Sequence, residues 1–280
     1  MPLPEEKLIE LKEICKDLRR NILKMTHAAA SGHPGGSLSA TEILSVLYFS
    51  ILKYDPTNPN WHERDRMVIS KGHATPLVYS ILAKAGYYKG DDLLTFRRLG
   101  SPYQGHIDRL KAPGIETSTG SLGHGTSNAV GMALGCRLDK LNNRIYLLQS
   151  DGELQEGSTW EAIMSAAHYK LGNLTAILDR NRIQLDGWTE ETMTLEPINK
   201  KYEAFGWHVI EIDGHDLNQI YDAILKTKEI GPKENKPCVI IAHTVKGKGV
   251  SFMEDEVKWH GVAPNDDELE KALQEIERGS

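Results

Sequence analysis

With 280 residues, 26% of them charged, the chain is long enough to bury a large core, and its formal net charge of −6 excludes the clustered basic charge of a nucleic-acid partner. No apolar run approaches the length of a membrane span, and the amino terminus lacks the apolar core of a signal peptide, so no membrane partner is expected. The three scattered cysteines, Cys15, Cys136 and Cys238, lack metal-binding spacing and are expected to be small buried side chains of a cytoplasmic protein.

The first half of the chain is predicted to be mainly helical. Apolar residues recur at helical spacing over residues 5–30, and the glycine-rich run Ser31-Gly-His-Pro-Gly-Gly36 ends that opening helix. Further elements are expected as helices at 39–52, 76–85 and 91–99 and a short buried strand at 66–70. Residues 100–125 are rich in Gly, Ser, Thr and Pro, which predicts a long irregular segment, and such segments are usually functional.

The second half alternates apolar strands with helical patterns. A helix carrying small residues is expected at 128–135, and residues 266–278 are predicted to form an exposed helix. The strands are predicted at 145–149, 174–178, 207–212 and 239–242. This alternation predicts an α/β fold, a doubly wound and mostly parallel sheet with helices on both faces, and we expect residues 1–280 to form one domain.

Polar residues follow two of the predicted strands directly. Asp151 and Gly152 come after the strand at 145–149, and Asn181 comes after the strand at 174–178. Open α/β sheets bind ligands at the carboxyl ends of their strands. One carboxylate and one amide suit Mg²⁺, or Ca²⁺, and a magnesium ion held by so few side chains usually shares its ligands with phosphates. The alternative is that both are ordinary turn residues.

Five of the eleven histidines lie in turns beside glycine, which allows the backbone to approach a ligand closely. They are His33, His73, His106, His124 and His260. A zinc site would require histidine pairs at helical spacing or Cys–His pairs, and neither occurs among these loops.

These motifs together resemble the diphosphate-binding, N-terminal part of the transketolases. Asp151-Gly-Glu followed by Asn181 resembles the thiamine diphosphate motif, and Ser-Gly-His-Pro-Gly, Lys-Gly-His and Trp-His-Gly recur in the family's order and spacing. Two positions depart from the family pattern, because Ser150 stands where glycine is usual and His124 where glutamine is usual.

The resemblance implies a set of site residues. It makes Asp151, Asn181 and the carbonyl of Ile183 ligands of magnesium. The residues it implies around thiamine diphosphate are His73, Ser121, Leu122, Gly123, Gly152, Glu156, Asn181, Leu185, Lys246 and His260. The catalytic residues it implies, facing a sugar phosphate, are His33, His106, His260 and His73. Glu153 and Lys248 are instead expected to be solvated charges.

The resemblance also implies a partner. Transketolases use a pyrimidine-binding domain and a C-terminal domain that we do not find in residues 1–280, so we expect them on a separate C-terminal subunit that supplies the glutamate activating the pyrimidine. Two copies of each chain are expected to associate, with active sites at their interfaces. The implied reaction is transfer of a two-carbon ketol unit from a ketose phosphate to an aldose phosphate, with sulfosugars or branched sugars as open alternatives.

Two other functions remain open at this point. One is the α subunit of a 2-oxo-acid dehydrogenase, which also uses the Asp and Asn pair and a separate partner chain. The other is a non-catalytic subunit that binds the cofactor for regulation, since a fold can retain a site and lose its chemistry. The histidine motifs favour ketol transfer, because they suit polyhydroxylated substrates.

Overall fold

A five-stranded parallel sheet forms the centre of the molecule, in a computed structural model that describes residues 2–279. The strands are β1 (Arg66–Ile69), β2 (Ile145–Ser150), β3 (Leu174–Arg180), β4 (His208–Asp213) and β5 (Cys238–His243). They lie in the order β1-β2-β3-β5-β4, and every neighbouring pair is parallel. The predicted α/β fold with a parallel sheet is therefore confirmed.

Helices cover both faces of this sheet. They are α1 (Glu5–Ala29), α2 (Pro34–Leu38), α3 (Thr41–Val46), α4 (Thr75–Lys84), α5 (His124–Leu138), α6 (Gly157–His168), α7 (Thr189–Thr192), α8 (Ile198–Ala204), α9 (Leu217–Glu234) and α10 (Asp266–Arg278). Alternate residues of each strand belong to two separate hydrophobic cores, one shared with α1, α3, α4, α9 and α10, the other with α5, α6 and α8. Every residue of β2 and β3 is buried, which explains their continuous apolar sequence.

Three predicted helices differ from those observed. The helix predicted at 39–52 begins at Thr41 with α3 and ends in a π turn, Leu47–Ile51, and a separate short helix, α2, precedes it with Pro34 in its favoured first position. The helix predicted at 91–99 is only a 3₁₀ helix, Gly90–Thr95, since Arg97 adopts a left-handed φ of 60° that stops a helix. The tail helix α10 packs its buried Ala272 and Ile276 into the core shared with α1, so it is only partly exposed.

The ends of the strands set the position of the candidate site. Because all five strands are parallel, their carboxyl ends, and the loops that follow them, lie along one edge of the sheet.

Within residues 2–279, no helix is both long enough and apolar enough to cross a membrane. All three cysteines are buried free thiols, as predicted.

Candidate functional site

A cavity of about 360 Å³ opens at the carboxyl edge of the sheet, between the loops that follow β1, β2, β3 and β5. It brings together nearly all the residues singled out in the sequence. Those that line it are His33, His73, His106, Leu122, Asp151, Gly152, Glu156, Asn181, Ile183, Leu185, Lys246 and His260. Ser121 and Gly123 are not lining residues; they flank Leu122, with Ser121 exposed and Gly123 buried.

Four histidine rings meet on one side of this cavity. The ring centroid of His33 lies 5.3 Å from that of His73, 5.9 Å from that of His106 and 5.5 Å from that of His260. The rings of His73 and His260 stack at 5.3 Å. Sequence positions more than 200 residues apart therefore form a single cluster. The fifth glycine-flanked histidine, His124, is instead the exposed first residue of α5.

Burial and neighbouring cations keep these imidazoles neutral. Burial and the charge of Arg97 lower the pKa of His33 to about 4. Burial and Lys246 lower the pKa of His260 to about 3. The pKa of His73 is well below its usual range, because the ring is buried beside charged groups. At neutral pH each of these rings can therefore both donate and accept a hydrogen bond.

Arg97 also fixes which nitrogen of His33 carries the proton. Its Nη2 lies 3.2 Å from His33 Nδ1. A guanidinium can only donate, so Nδ1 is the acceptor and the proton of the neutral ring lies on Nε2. Burial and Arg97 also lower the pKa of His106. Arg97 was missed in the sequence, where it is one of many charged residues in an irregular region.

Oxygen atoms face the other side of the cavity. The carboxylate of Asp151 is buried and accepts hydrogen bonds from Gly152 N at 2.8 Å and from Arg182 N. Asn181 Oδ1 accepts from Ile183 N at 3.2 Å. The predicted diphosphate donor Gly152 N thus faces Asp151 in this structure. Carboxylate, amide and carbonyl oxygens form a hard donor set that suits Mg²⁺ or Ca²⁺.

A cationic side chain already contacts this donor set. Lys246 Nζ donates to the carbonyl of Ile183 at 3.0 Å and lies 2.7 Å from His260 Nδ1. Burial and the charge of Lys71 lower the pKa of Lys246 to about 7. Burial and Lys71 thus disfavour the charge on Lys246, whereas the hard oxygen donors beside it fit a divalent cation.

A buried ion pair between Lys71 and Asp179 orients the side-chain amide of Asn181. The carboxylate of Asp179 accepts from Lys71 Nζ and from Asn181 Nδ2, the latter at 3.2 Å. Because a carboxylate only accepts, it holds the amide nitrogen towards itself and leaves Oδ1 to face away. Lys71 was missed as a site residue, although its signal is simple: it is a lysine two residues after the apolar strand β1.

Arg180 was also missed in the sequence. Its side chain is 2% exposed, and its Nη1 donates to Asp151 Oδ2 at 3.0 Å. It also forms ion pairs with Glu190 and Glu196, at 3.2 and 2.9 Å, in the segment that follows β3. Arg180 thereby ties that segment to Asp151. Nothing in the local pattern distinguishes it from an exposed strand-end arginine.

The prediction that Glu153 is a solvated charge was wrong. Its side chain is fully buried and accepts hydrogen bonds from Gly123 N at 2.9 Å, from Ser70 Oγ and from Ser150 N at 3.4 Å. Burial raises the pKa of Glu153 to about 6. The short 3₁₀ helix Gly152–Gln155 turns the side chain inward, whereas the sequence pattern indicated an outward-facing helix start.

The substitution at position 150 fits the local backbone. Ser150 is the last residue of β2, in register with Asp179 of β3, and it is not among the residues with positive φ in the described range 2–279. A turn with negative φ does not require glycine.

Comparisons with known proteins show the family to which the chain is similar. A family model described as "Transketolase, thiamine diphosphate binding domain" matches residues 11–277. A Clostridium protein named 6-deoxy-6-sulfo-D-fructose transketolase subunit SqwG is 42% identical over 273 residues, which are 98% of each chain. An apulose-4-phosphate transketolase subunit of Actinobacillus succinogenes is 43% identical, over 95% of this chain and 96% of that protein.

Longer relatives match only in part of their length. Human transketolase is 40% identical over 97% of this chain but only 43% of its own length. The solved transketolase of Campylobacter jejuni superposes with a TM-score of 0.88 at 36% identity, covering 98% of this chain and 43% of that one.

Proposed function

The chain belongs to the transketolase family, and from this premise we propose that it is the N-terminal subunit of a transketolase that transfers a two-carbon ketol unit from a ketose phosphate to an aldose phosphate. The observation that carries the proposal is the cavity where four neutral histidines face a set of hard oxygen donors and a buried lysine. The similar subunits carry transketolase names over nearly their full length, which favours ketol transfer over the oxidation of 2-oxo acids.

The cofactor we propose is thiamine diphosphate with Mg²⁺. Asp151, Asn181 Oδ1 and the carbonyl of Ile183 would hold the metal. Lys246 and Gly152 would face the diphosphate, since converging cations and N–H donors offset its desolvation. When bound, thiamine diphosphate supplies the electron sink that allows a bond next to a carbonyl group to break.

The other proposed cofactor contacts complete its surroundings. His73 and His260 would donate to the phosphates. Ser121, Leu122 and Gly123 would line the rings through their backbone, Leu185 would pack beside them, and Glu156 would belong to carboxylates at a contact between chains. The 62% exposure of Leu185 leaves it accessible to a ligand or to a second chain.

The histidines would handle the sugar. His33 would present its Nε2–H to a substrate oxygen, because Arg97 occupies its Nδ1. His106, His73 and His260 would bind hydroxyl and carbonyl oxygens and pass protons while the carbon–carbon bond changes partners. Their lowered pKa values support this role, since neutral rings can both give and take a proton at pH 7.

The partner we propose is a separate C-terminal transketolase subunit that carries the pyrimidine-binding and C-terminal domains and supplies the glutamate activating the pyrimidine. Self-association of the two-chain unit belongs to the same proposal. The word subunit in the relatives' names and their similar length support it.

We place the activity in the cytoplasm, which the three free cysteines support. The relatives' names leave phosphorylated, branched and sulfonated sugars as candidate substrates.

The experiment that tests the proposal measures thiamine diphosphate and Mg²⁺ binding by calorimetry, and ketol transfer by product analysis, for the chain alone and mixed with its C-terminal subunit. We expect transfer only in the mixture. Cofactor binding without transfer in the mixture would contradict the proposal and would support a regulatory role instead.

The matched variants are Asp151→Ala and Asp186→Ala. Asp151→Ala is expected to abolish Mg²⁺-dependent binding while the chain stays folded by circular dichroism. Asp186 is an exposed aspartate in the segment after β3, so its replacement is expected to leave binding unchanged. Equal effects of both would remove Asp151 from the metal site.

A further inference from the structure

Ser150 carries a hydroxyl group at a position where the family pattern has glycine, and the structure places it in the candidate site. It is the last residue of β2 and lies in register with Asp179 of β3. The cavity of about 360 Å³ that contains the histidine cluster and the oxygen donors has Ser150 among its lining residues. The function proposed for the site gives this side chain no role.

The hydroxyl of Ser150 is a polar group without a partner. The backbone N of the same residue donates to Glu153 Oε2 at 3.4 Å. Ser150 Oγ forms no hydrogen bond within residues 2–279, although the residue as a whole is only 7% exposed. The unpaired hydroxyl of Ser50 is enclosed by protein atoms, whereas Ser150 Oγ is not among the enclosed unpaired atoms of that range. The Ser150 hydroxyl therefore opens into the cavity, where a ligand can reach it.

The alternation of side chains along the strands fixes the direction of this hydroxyl. Leu148 of β2 and Ile177 of β3 both belong to the core shared with α1, α3, α4, α9 and α10. Ser150 and Asp179 each lie two residues further along and therefore share that face of the sheet. It is the face on which Asp179 accepts a hydrogen bond from Asn181 Nδ2 at 3.2 Å. The hydroxyl is thus directed towards the side of the cavity that carries the oxygen donors.

The next two residues of the chain connect this hydroxyl with the diphosphate and its metal. Asp151 is a proposed metal ligand, and Gly152 is a proposed donor to the diphosphate. Consecutive Cα atoms are about 3.8 Å apart, so a ligand that contacts both residues is within reach of the Ser150 side chain. A serine hydroxyl can donate one hydrogen bond, and a charged phosphate oxygen is a stronger acceptor than a neutral group.

A side chain at this position can act on the ligand in two ways that have opposite signs. A hydroxyl that donates to the ligand strengthens binding, whereas a side chain that occupies the ligand's space weakens it. The structure favours donation, because Ser150 has no positive φ and the cavity stays open with the hydroxyl in place.

We propose that Ser150 is a cofactor-binding residue whose Oγ–H donates to a diphosphate oxygen of the bound cofactor. This inference rests on the proposed function, which supplies thiamine diphosphate and Mg²⁺ as the ligand. It gives this chain a hydrogen-bond donor that the family pattern with glycine lacks. The hydroxyl adds to the proposed donors Gly152 N and Lys246 and helps to offset the desolvation of the diphosphate.

The test measures affinity by calorimetry, in the presence of Mg²⁺, for thiamine diphosphate, inorganic pyrophosphate and thiamine. Ser150→Ala removes only the hydroxyl, and Ser150→Gly introduces the residue that is usual in the family pattern. We expect both variants to bind thiamine diphosphate and pyrophosphate about tenfold more weakly than the natural chain, because a hydrogen bond to a charged oxygen is lost. The response to thiamine, which has no phosphate, is expected to be the same in all three chains.

The matched control is Ser127→Ala, because Ser127 is exposed on α5 and does not line the cavity. It is expected to bind every probe as the natural chain does. Circular dichroism verifies that each variant is folded. If Ser150→Ala does not fold, Ser150→Gly decides the question alone, since glycine adopts the backbone conformation of any residue.

The two proposals fail in different ways. If the natural chain, alone and with its C-terminal subunit, binds neither thiamine diphosphate nor pyrophosphate, the proposed cofactor is wrong and the role of Ser150 is wrong with it. If the natural chain binds both, and a folded variant at position 150 binds them as tightly or more tightly, only the role of Ser150 is wrong. Tighter binding by Ser150→Gly would show that the side chain crowds the ligand.

Discussion

Glu153 is the residue on which three loops of the site converge. Its Oε1 accepts from Gly123 N at 2.9 Å, and its Oε2 accepts from Ser150 N at 3.4 Å. Ser70 Oγ, just before Lys71, donates to the same carboxylate. No cation pairs with Glu153 in the described part of the chain, so its carboxylate acts as an acceptor of hydrogen bonds from N–H and O–H groups.

Replacing Glu153 by glutamine should disturb at least one of these loops. Whichever way the amide is turned, its NH₂ group faces the backbone N–H of either Gly123 or Ser150, and neither can accept. We expect Glu153→Gln to lower the free energy of unfolding by about 1–3 kcal/mol and to weaken thiamine diphosphate binding about tenfold. Urea denaturation and calorimetry measure the two effects. Glu229→Gln, at an exposed position on α9, is the control, and unchanged cofactor affinity in Glu153→Gln would contradict the prediction.

Lys246 illustrates a conflict between stability and binding. Its side chain is 1% exposed, and within residues 2–279 no carboxylate forms an ion pair with it. A buried charge without a counter-ion is destabilising. We expect Lys246→Met to raise the free energy of unfolding of the ligand-free chain by about 1–3 kcal/mol and to weaken thiamine diphosphate binding. Thermal denaturation measures the change in stability, and calorimetry measures the change in cofactor affinity. A fall in both the free energy of unfolding and the cofactor affinity would show that Lys246 is needed for folding.

The sequence predicted some site residues and not others for a physical reason. Asp151, Asn181 and the glycine-flanked histidines follow strands or lie in turns, and parallel strands bring such positions to one edge of a sheet. The inward direction of Glu153 and the burial of Arg180 depend on contacts between distant segments, which no local pattern records.

At the scale of elements, α5 lies directly against the end of β1. A Cβ added to Gly125 would lie 2.6 Å from Ser70 Cα and 2.3 Å from its Oγ. In the same helix, a Cβ added to Gly131 would meet nothing within 4 Å. The two glycines therefore lie in different surroundings. Gly125 permits close packing of α5 against the end of β1, whereas Gly131 lies on an exposed surface.

The two positions should respond to alanine with opposite signs. Gly125→Ala forces α5 away from β1, and overpacking of this kind is expected to cost about 1–3 kcal/mol of the free energy of unfolding. Gly131→Ala is expected to gain about 0.4–1 kcal/mol, because alanine restricts the unfolded chain and favours a helix. Both are measured by urea denaturation of the chain alone. Two effects of the same sign would contradict this account of α5.

Element boundaries were predictable where the cause is local. The 25 residues of α1 and the positions of all five strands follow from periodicity and apolar runs. The helix predicted at 91–99 was shortened by a backbone conformation at Arg97, whose amide donates to the carbonyl of Tyr103 in the following loop. The sequence pattern alone contains no sign of that contact.

At the scale of the whole molecule, one buried carboxylate joins three distant segments. Glu42 of α3 lies 2.6 Å from Arg19 Nη2 of α1 and 3.0 Å from His215 Nδ1, between β4 and α9. His215 Nε2 accepts from Val245 N at 2.8 Å, so its proton lies on Nδ1 and is donated to Glu42. The helical layer is thereby tied to the edge of the sheet that carries the site.

This network should make stability depend on pH. Burial alone would raise the pKa of Glu42, but the charge of Arg19 and the hydrogen bond from His215 lower it to about 2. Because the pKa is lower in the folded chain than in the unfolded chain, the stabilisation is complete above roughly pH 5 and is lost as the pH falls towards 2. The difference corresponds to about 3 kcal/mol, in the range for breaking a buried ion pair.

Glu42→Gln is therefore expected to lower the free energy of unfolding by about 3 kcal/mol at pH 7, and by about half as much at pH 3.5, since the natural chain loses the same contribution there. Urea denaturation of both chains across this pH range measures the difference. Glu13→Gln is the control, because its pairing with Lys16 is exposed and is worth at most about 0.5 kcal/mol. A difference that stays constant from pH 7 to pH 3.5 would mean that Glu42 stabilises the fold through packing and not through its charge.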